Sequence, residues 1–421
     1  MSEETATLQV TIPQNPAKTL RLTLNGPESM LETGPRLTAL SLDTIEVTHE
    51  MLDSLSSYEI SVIESTKAGR HSSYSSFYTA ILKPLFSALN IRHSYLQTTS
   101  ASSLQEYAAA ADLSRPSAKL LYLFLSGDTS VFEFVNCLFP RIQDTEISGY
   151  SGSTPNVTIL PFPHGTGNAL CNSLKLFNDI ESIKALFRLC PRHLPLYQLQ
   201  SHTKLESKNL SLDHFSQKKA IFFLVVASWC LHSTLVFESD KPEMRAKYGP
   251  ERFRIAAMKI LEKNPHFRAR ITFQPDSKSL FYNHGSGSWL SDTSKTSSSE
   301  QVTDLSYFLL AAVSNFEKTF MISPHSVVAE DQLHILAIPH IPSDDIMTLM
   351  NAAYDSGTHV QDKRVYYSYL EKSSSLELFI SDEMHPSLST ICLDGSSWEV
   401  TGKDRKLTFS TVQQSFLHFL S

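Results

Sequence analysis

No CxxC pair occurs in the 421 residues, whose five cysteines are Cys137, Cys171, Cys190, Cys230 and Cys392. Few, odd in number and scattered, they exclude a disulfide framework and a zinc site, and they suit a reducing compartment. No dense run of Lys or Arg occurs either. With a formal charge of −7 spread over the chain, nucleic-acid binding is disfavoured. The longest apolar run, Ala220 to Leu231, is well short of the ~20 residues that span a bilayer. The first residues, MSEETATLQV, are acidic and lack an apolar h-region, so no signal peptide is expected. The sequon Asn156-Val157-Thr158 is then idle. There is no internal repeat, and no GxGxxG of the kind a dinucleotide-dependent oxidoreductase carries. What is present, 41% hydrophobic and 19% charged residues, fits a globular cytoplasmic protein with room for two domains.

Alternation of apolar and polar residues at Leu8 to Ile12 and at Leu20 to Leu24 predicts strands in a β-rich leader over 1–58. From residue 59 the pattern becomes strand then helix, repeated. Short strands are expected at Ile60–Ile63, Ser94–Thr98, Leu120–Leu125 and Val157–Leu160. Between them lie a helix near Tyr74–Leu89 with a possible kink at Pro84, a helix opened by Ser102 with Gln105 in capping-box position, and a helix after Ser130. This alternation means a doubly wound, largely parallel sheet over 59–200. Over 201–421 the pattern turns to antiparallel β structure, with strands at Phe222–Val226, Arg268–Phe273, Val327–Ile338, Leu376–Ile380 and Ser389–Leu393. Helices are expected there at Arg252–Glu262 and Asp345–Tyr354, and a Ser-rich surface loop over 283–303.

The stretch Lys119 to Leu138 organises the rest. Six apolar residues, Leu120 to Leu125, have the length of a strand buried on both faces. Ser126-Gly127-Asp128-Thr129-Ser130 breaks the run, and Val131, Phe134, Val135 and Leu138 then recur at helical spacing. Strand, polar turn and helix in that order favour an anion such as a nucleotide phosphate at the strand's carboxyl end. Asp128, the acid in this turn, is suited to take a proton from an attacking hydroxyl. Two further glycine-containing turns, Lys67-Ala68-Gly69 and Gly165-Thr166-Gly167-Asn168, follow strands of the same expected sheet. All three would open toward one edge.

Together these segments resemble the lipid kinases of the diacylglycerol kinase and sphingosine kinase superfamily. Ser126 to Ser130, with Glu133 and Asn136, is similar to the GGDGT or SGDG motif and its trailing E…NGL. Leu160-Pro161 with Gly165 to Leu170 resembles LPxGTGNxLA, and Ser65 to Arg70 takes the place of the NPxSGxG phosphate loop. Ser228-Trp229, Glu238 to Asp240, Arg245 and Gly249 to Phe253 resemble a sphingosine kinase segment. Ser323-Pro324-His325, Gly357-Thr358-His359 and Leu393-Asp394-Gly395 match later motifs, the last the VDGE site. The likeness runs from about residue 58 onward and favours the sphingosine kinase branch.

The resemblance implies a kinase using ATP and Mg2+, with a nucleotide-binding α/β domain, an antiparallel β-sandwich lipid-binding domain and an active site in the cleft between them. Its substrate would be a sphingoid base or diacylglycerol, reached by transient membrane contact. Asp128 would be the general base. Lys67, Gly69, Arg70, Gly127, Thr129, Gly165, Thr166, Gly167 and Asn168 would surround the phosphates, with Thr99 as a further contact. Arg245 and Arg252 would neutralise the transferring phosphoryl group, and Asp394 would lie near the nucleotide. The departures are specific. Thr129 replaces the second glycine of GDG, at a cost on the order of 1–2 kcal/mol if the backbone there is left-handed. His164 is an extra residue in the PxGTGN loop, Thr66 and Lys67 replace Asn-Pro, and Val236 replaces the aspartate that holds a sphingoid head. Ser396 replaces the glutamate of DGE. The alternative to an active kinase is a weak or silent lipid- or nucleotide-binding relative.

Overall fold

The structure is a computed structural model that describes residues 6–13, 15–24, 30–35, 43–66, 76–113, 118–147, 155–207, 220–274, 276–291, 301–381, 388–412 and 416–421. The chain divides into two compact units. One comprises 1–131, 137–193 and 416–421, the other 132–136 and 194–415. The leader is therefore part of the first unit, and the last residues return to it.

The leader forms a four-stranded sheet in the order Met30–Pro35, Asn15–Leu24, Ala6–Ile12, Asp43–Glu46. Alternation sets its register: Leu8 lies opposite Leu22 and Val10 opposite Leu20. These four side chains join one hydrophobic cluster with Leu55, Ile60, Val62, Leu121, Leu123 and Leu186. The main sheet runs His93–Thr98, Glu59–Ser65, Lys119–Ser126, Asn156–Pro163, Leu417–Leu420, Pro191–His193. All neighbours are parallel except the last pair. Residues 120–126 of the central strand are buried throughout, as a strand covered on both faces must be.

Local chemistry explains the helices. Pro84 has no N–H to donate within its helix, and the chain answers with a π-helical segment, Tyr78–Leu82, directly ahead of the α-helix Lys83–Ala88. The expected capping box at Ser102 does not form. Ser102 Oγ instead donates to Glu106 Oε1 at 2.6 Å, while Ser103 Oγ accepts the N–H groups of Thr99 and Ser100. The central helix begins at Asp128, earlier than expected, and runs to Ile147.

In the second unit fourteen strands form one connected sheet, and every ladder in it is antiparallel. The sheet forks at the long strand Gln301–Ala311, which pairs with Phe267–Phe273, Val226–Cys230 and Leu333–Pro339. The strand expected over Val327–Ile338 is confined to Leu333–Pro339, because the polar stretch before it turns, with Glu330 N–H donating to Val327 and Gln332 N–H to Glu330. The Ser-rich region is partly ordered sheet. Ser279–Asn283 and Ser288–Ser291 form a hairpin with Tyr282 opposite Trp289, while 292–300 lie outside the described residues.

Candidate active site

The order of the main sheet reverses between Glu59–Ser65 and Lys119–Ser126, the neighbouring first and third strands of the parallel set. In doubly wound sheets a ligand lies outside the carboxyl ends of the strands at this switch point. Ser126 pairs with Pro163, so the loops that follow these two strands leave the sheet side by side. Glycine is what allows them to touch. A Cβ on Gly165 would lie 2.5 Å from Gly127 Cα and 2.7 Å from Asn168 Oδ1, and one on Gly127 would lie 3.1 Å from Gly165 Cα. Their small size therefore serves the packing of one loop on the other.

Asn168 shapes the second loop from within. It is 7% exposed and left-handed, with φ 56° and ψ 48°, a conformation asparagine tolerates better than most residues. Its Oδ1 accepts the Gly165 N–H at 2.6 Å, and its Nδ2 donates to the carbonyls of Pro163 and Gly165. Asn172 Nδ2 holds the Gly167 carbonyl at 2.8 Å. Thr166 and Gly167 form the exposed tip. His164 turns toward the neighbouring helix Asp179–Arg188, where its Nε2 lies 2.8 Å from Asp179 Oδ1.

Asp128 joins the two loops. Its Oδ2 accepts the Ala169 N–H at 2.7 Å and its Oδ1 the Leu170 N–H at 3.1 Å, so it caps the short helix Ala169–Ser173 and not only its own helix. Those two amides are thus already engaged by a carboxylate. Burial pushes the Asp128 carboxyl above its usual range, while the N–H groups of Leu170, Ala169 and Asp128 itself pull it back. The carboxylate's roughly four lone-pair sites leave capacity beyond these three N–H groups. Thr129 lies in the first turn of the helix and is absent from the positive-φ residues, so the threonine in place of glycine carries no left-handed strain.

At the end of the first strand, Thr66 and Thr98 lock neighbouring strand ends together: Thr66 N–H donates to Thr98 Oγ1 at 3.2 Å and Thr66 Oγ1 to the Thr98 carbonyl at 2.8 Å. Thr99 is exposed beside them. Lys67, Gly69 and Arg70 lie outside the described residues. One residue here escaped the sequence reading. Glu64 is fully buried, and its Oε2 accepts from Ser76 Oγ and Tyr95 Oη, both at 2.5 Å. Burial and this carboxylate raise the Tyr95 phenol. An acid inside an apolar strand was the available signal.

The remaining sequence-identified residues lie in the second unit. Arg245 Nη2 is 2.9 Å from Asp240 Oδ1 and Arg252 Nη2 is 3.9 Å from it, so both guanidinium groups converge on one carboxylate. Burial raises the Asp240 carboxyl despite the pull of both arginines. Arg252 is buried and lies over the Phe253 ring, while Arg245 is half exposed. Asp394 is 1% exposed. Its carboxylate accepts the N–H groups of Leu224, Val225 and Val226 at 2.8, 2.9 and 2.8 Å. With Gly395 it makes a two-residue hairpin turn in which both residues have positive φ, which is why Asp-Gly stands there. Asn136, 1% exposed, grips Phe222 from both sides, accepting its N–H and donating to its carbonyl. Cys230 occupies φ 65°, ψ −138° at the junction of Val226–Cys230 with the helix Leu231–Ser239. His359 is buried with Nε2 on the Ile322 carbonyl at 3.0 Å.

Residues 59–198 match the family profile of the diacylglycerol kinase catalytic domain, so this stretch belongs to the lipid kinase superfamily that the motifs resemble. No curated protein sequence matches the chain. A candidate diacylglycerol kinase from Bacillus anthracis str. Sterne superposes with a TM-score of 0.51 at 16% identity, covering 86% of this chain and 96% of its own. A further structure, of a diacylglycerol kinase from the same strain, gives 0.49 at 15% identity with the same coverage. The first of these supports a shared fold.

Proposed function

We propose that the chain, with its diacylglycerol kinase catalytic domain over 59–198, is an ATP-dependent lipid kinase. It would transfer the γ-phosphate to the primary hydroxyl of a lipid alcohol at a membrane surface. The observation that carries this reading is Asp128. It is a carboxylate at the switch point of a parallel sheet, raised by burial and joined through backbone amides to the adjoining Gly165–Asn168 loop. In this reading the hydroxyl donates to Asp128 and loses its proton there as its oxygen attacks phosphorus, while Thr166 and Gly167 at the exposed tip line the phosphates.

Magnesium fits as a nucleotide-borne ion. Among the described residues no group of three or more His, Cys, Asp or Glu stands ready to hold a metal. Mg2+ in phosphoryl transfer is commonly held by one or two carboxylates plus phosphate oxygens and water, and Asp128 can supply one. Its chemistry would be to neutralise charge on the β- and γ-phosphates.

The favoured acceptor is an uncharged lipid alcohol of the diacylglycerol kind. A sphingoid base carries an ammonium, which calls for a carboxylate. In the segment that resembles sphingosine kinases, position 236 is valine, Glu238 is bonded to Lys241 at 2.6 Å and Asp240 to Arg245 at 2.9 Å. A silent relative is the second reading, favoured by the engagement of both Asp128 oxygens with amides. Incubation with labelled ATP and a lipid panel, wild type beside Asp128→Asn, separates the two. A labelled phospholipid made by wild type alone supports the kinase; no product from any acceptor supports the silent relative.

A further inference from the structure

The extra histidine of the glycine loop does more than lengthen it. His164 immediately precedes Gly165, and its Nε2 lies 2.8 Å from Asp179 Oδ1 with both side chains largely sheltered. Asp179 opens the helix Asp179–Arg188, which Asn178 caps by accepting the Glu181 N–H at 3.0 Å. The helix end is therefore a fixed support. The imidazole also stands edge-on to Phe77 at 5.2 Å and 85°, and to Phe162 at 6.3 Å and 79°. Its ring orientation is thus set by packing as well as by the hydrogen bond. The buried Cys171 thiol, in the short helix that follows the loop, is raised well above its usual range by burial first and then by Asp128 and Asp179.

We propose that His164 and Asp179 are a positioning pair that fixes the Gly165–Asn168 loop for nucleotide. This rests on the nucleotide-binding part of the reading above. Asn168 and Asp128 hold the loop's inner side; the pair holds its outer side to the helix. The loop tip, not the proton acceptor, depends on it, so the pair governs nucleotide affinity and leaves turnover nearly unchanged.

The test uses the full-length protein with ADP binding by calorimetry, KM for ATP and kcat measured side by side, and thermal unfolding as control. His164→Ala is expected to raise the ADP Kd and the ATP KM about tenfold, with kcat within about twofold. His164→Gln, which can still donate to Asp179, restores most of the affinity. Asp179→Asn weakens binding in the same direction, and the double variant His164→Ala with Asp179→Asn adds little, as partners in one interaction should. Unchanged affinity in His164→Ala overturns the proposal, as does loss of affinity in step with melting temperature and no rescue by Gln. Wild-type protein that binds ADP but phosphorylates no lipid sinks the kinase reading alone and leaves the affinity comparison decisive. Wild-type protein that binds no ADP sinks both.

Discussion

Asp128 and Asp394 both follow a strand, and both gather backbone N–H groups from a segment remote in sequence. In the second unit Asp394 accepts three amides and is shut away from solvent. In the first unit Asp128 accepts two from the segment after the neighbouring loop, besides its own N–H, and stays partly exposed. The first arrangement uses the carboxylate up as architecture. The second leaves capacity for a proton. A motif containing an aspartate says nothing about which of these it will be; the remaining exposure does.

The comparison can be broken most directly at Asp394. Asp394→Ala leaves three sheltered amides without an acceptor and should cost on the order of 3–6 kcal/mol. Urea unfolding followed by fluorescence reads this cleanly, because Trp229, Trp289 and Trp398 all lie in the second unit. Asp128→Asn should do the opposite, lowering kcat at least about 100-fold while the unfolding midpoint moves little. If Asp128→Asn unfolded the protein as Asp394→Ala does, the distinction between the two would disappear.

Loop packing comes next. Gly165→Ala drives a methyl group into the Gly127 backbone, whereas Gly127→Ala makes a looser contact at 3.1 Å. Gly165→Ala should therefore lose more activity and about 1–3 kcal/mol of stability, with Gly127→Ala milder. Equal effects would mean that the two loops do not rest on each other.

Acid should act on the buried histidines of the second unit and on Asp128 with opposite sign. Burial holds the imidazoles of His232 and His359 at about 4 and that of His334 at about 3, all in the second unit. Between an unfolded value of ~6.5 and these folded values the unfolded chain binds more protons, so stability falls as pH drops through that window. Asp128 is raised, so its contribution moves the other way: protonation relieves its burial as pH falls. Tryptophan-monitored melting from pH 7 to pH 4.5 should show the second unit weakening, with a shallower slope in His334→Gln. The smallest effect is expected at Cys230. Only glycine adopts its backbone angles freely, so Cys230→Gly should be more stable than Cys230→Ala by about 1 kcal/mol.

Much of the first unit was legible from local pattern. Leu120–Leu125 is apolar without alternation because both faces of that strand are covered. The Ser126–Ser130 break marked the turn that positions Asp128. The capping box at Ser102 failed because Ser103 reached the Thr99 and Ser100 amides instead. What stayed hidden depends on partners far along the chain. Leu417–Leu420, a four-residue strand, reads as nothing until it slots beside Asn156–Pro163. The bond between His164 and Asp179 left no periodic trace. The amides that fill Asp394 lie 168 to 170 positions away, and no spacing rule reaches that far.

That separation has a consequence for how the protein is made. When residues 222–226 leave the ribosome, Asn136 is already available to hold Phe222, but the acceptor for the next three amides has not been translated. Until position 394 emerges, an apolar stretch with unsatisfied polar backbone waits unpaired, a natural client for a holding chaperone. Ribosome stalling placed before and after that codon should show protease resistance around Trp229 arriving late and in one step.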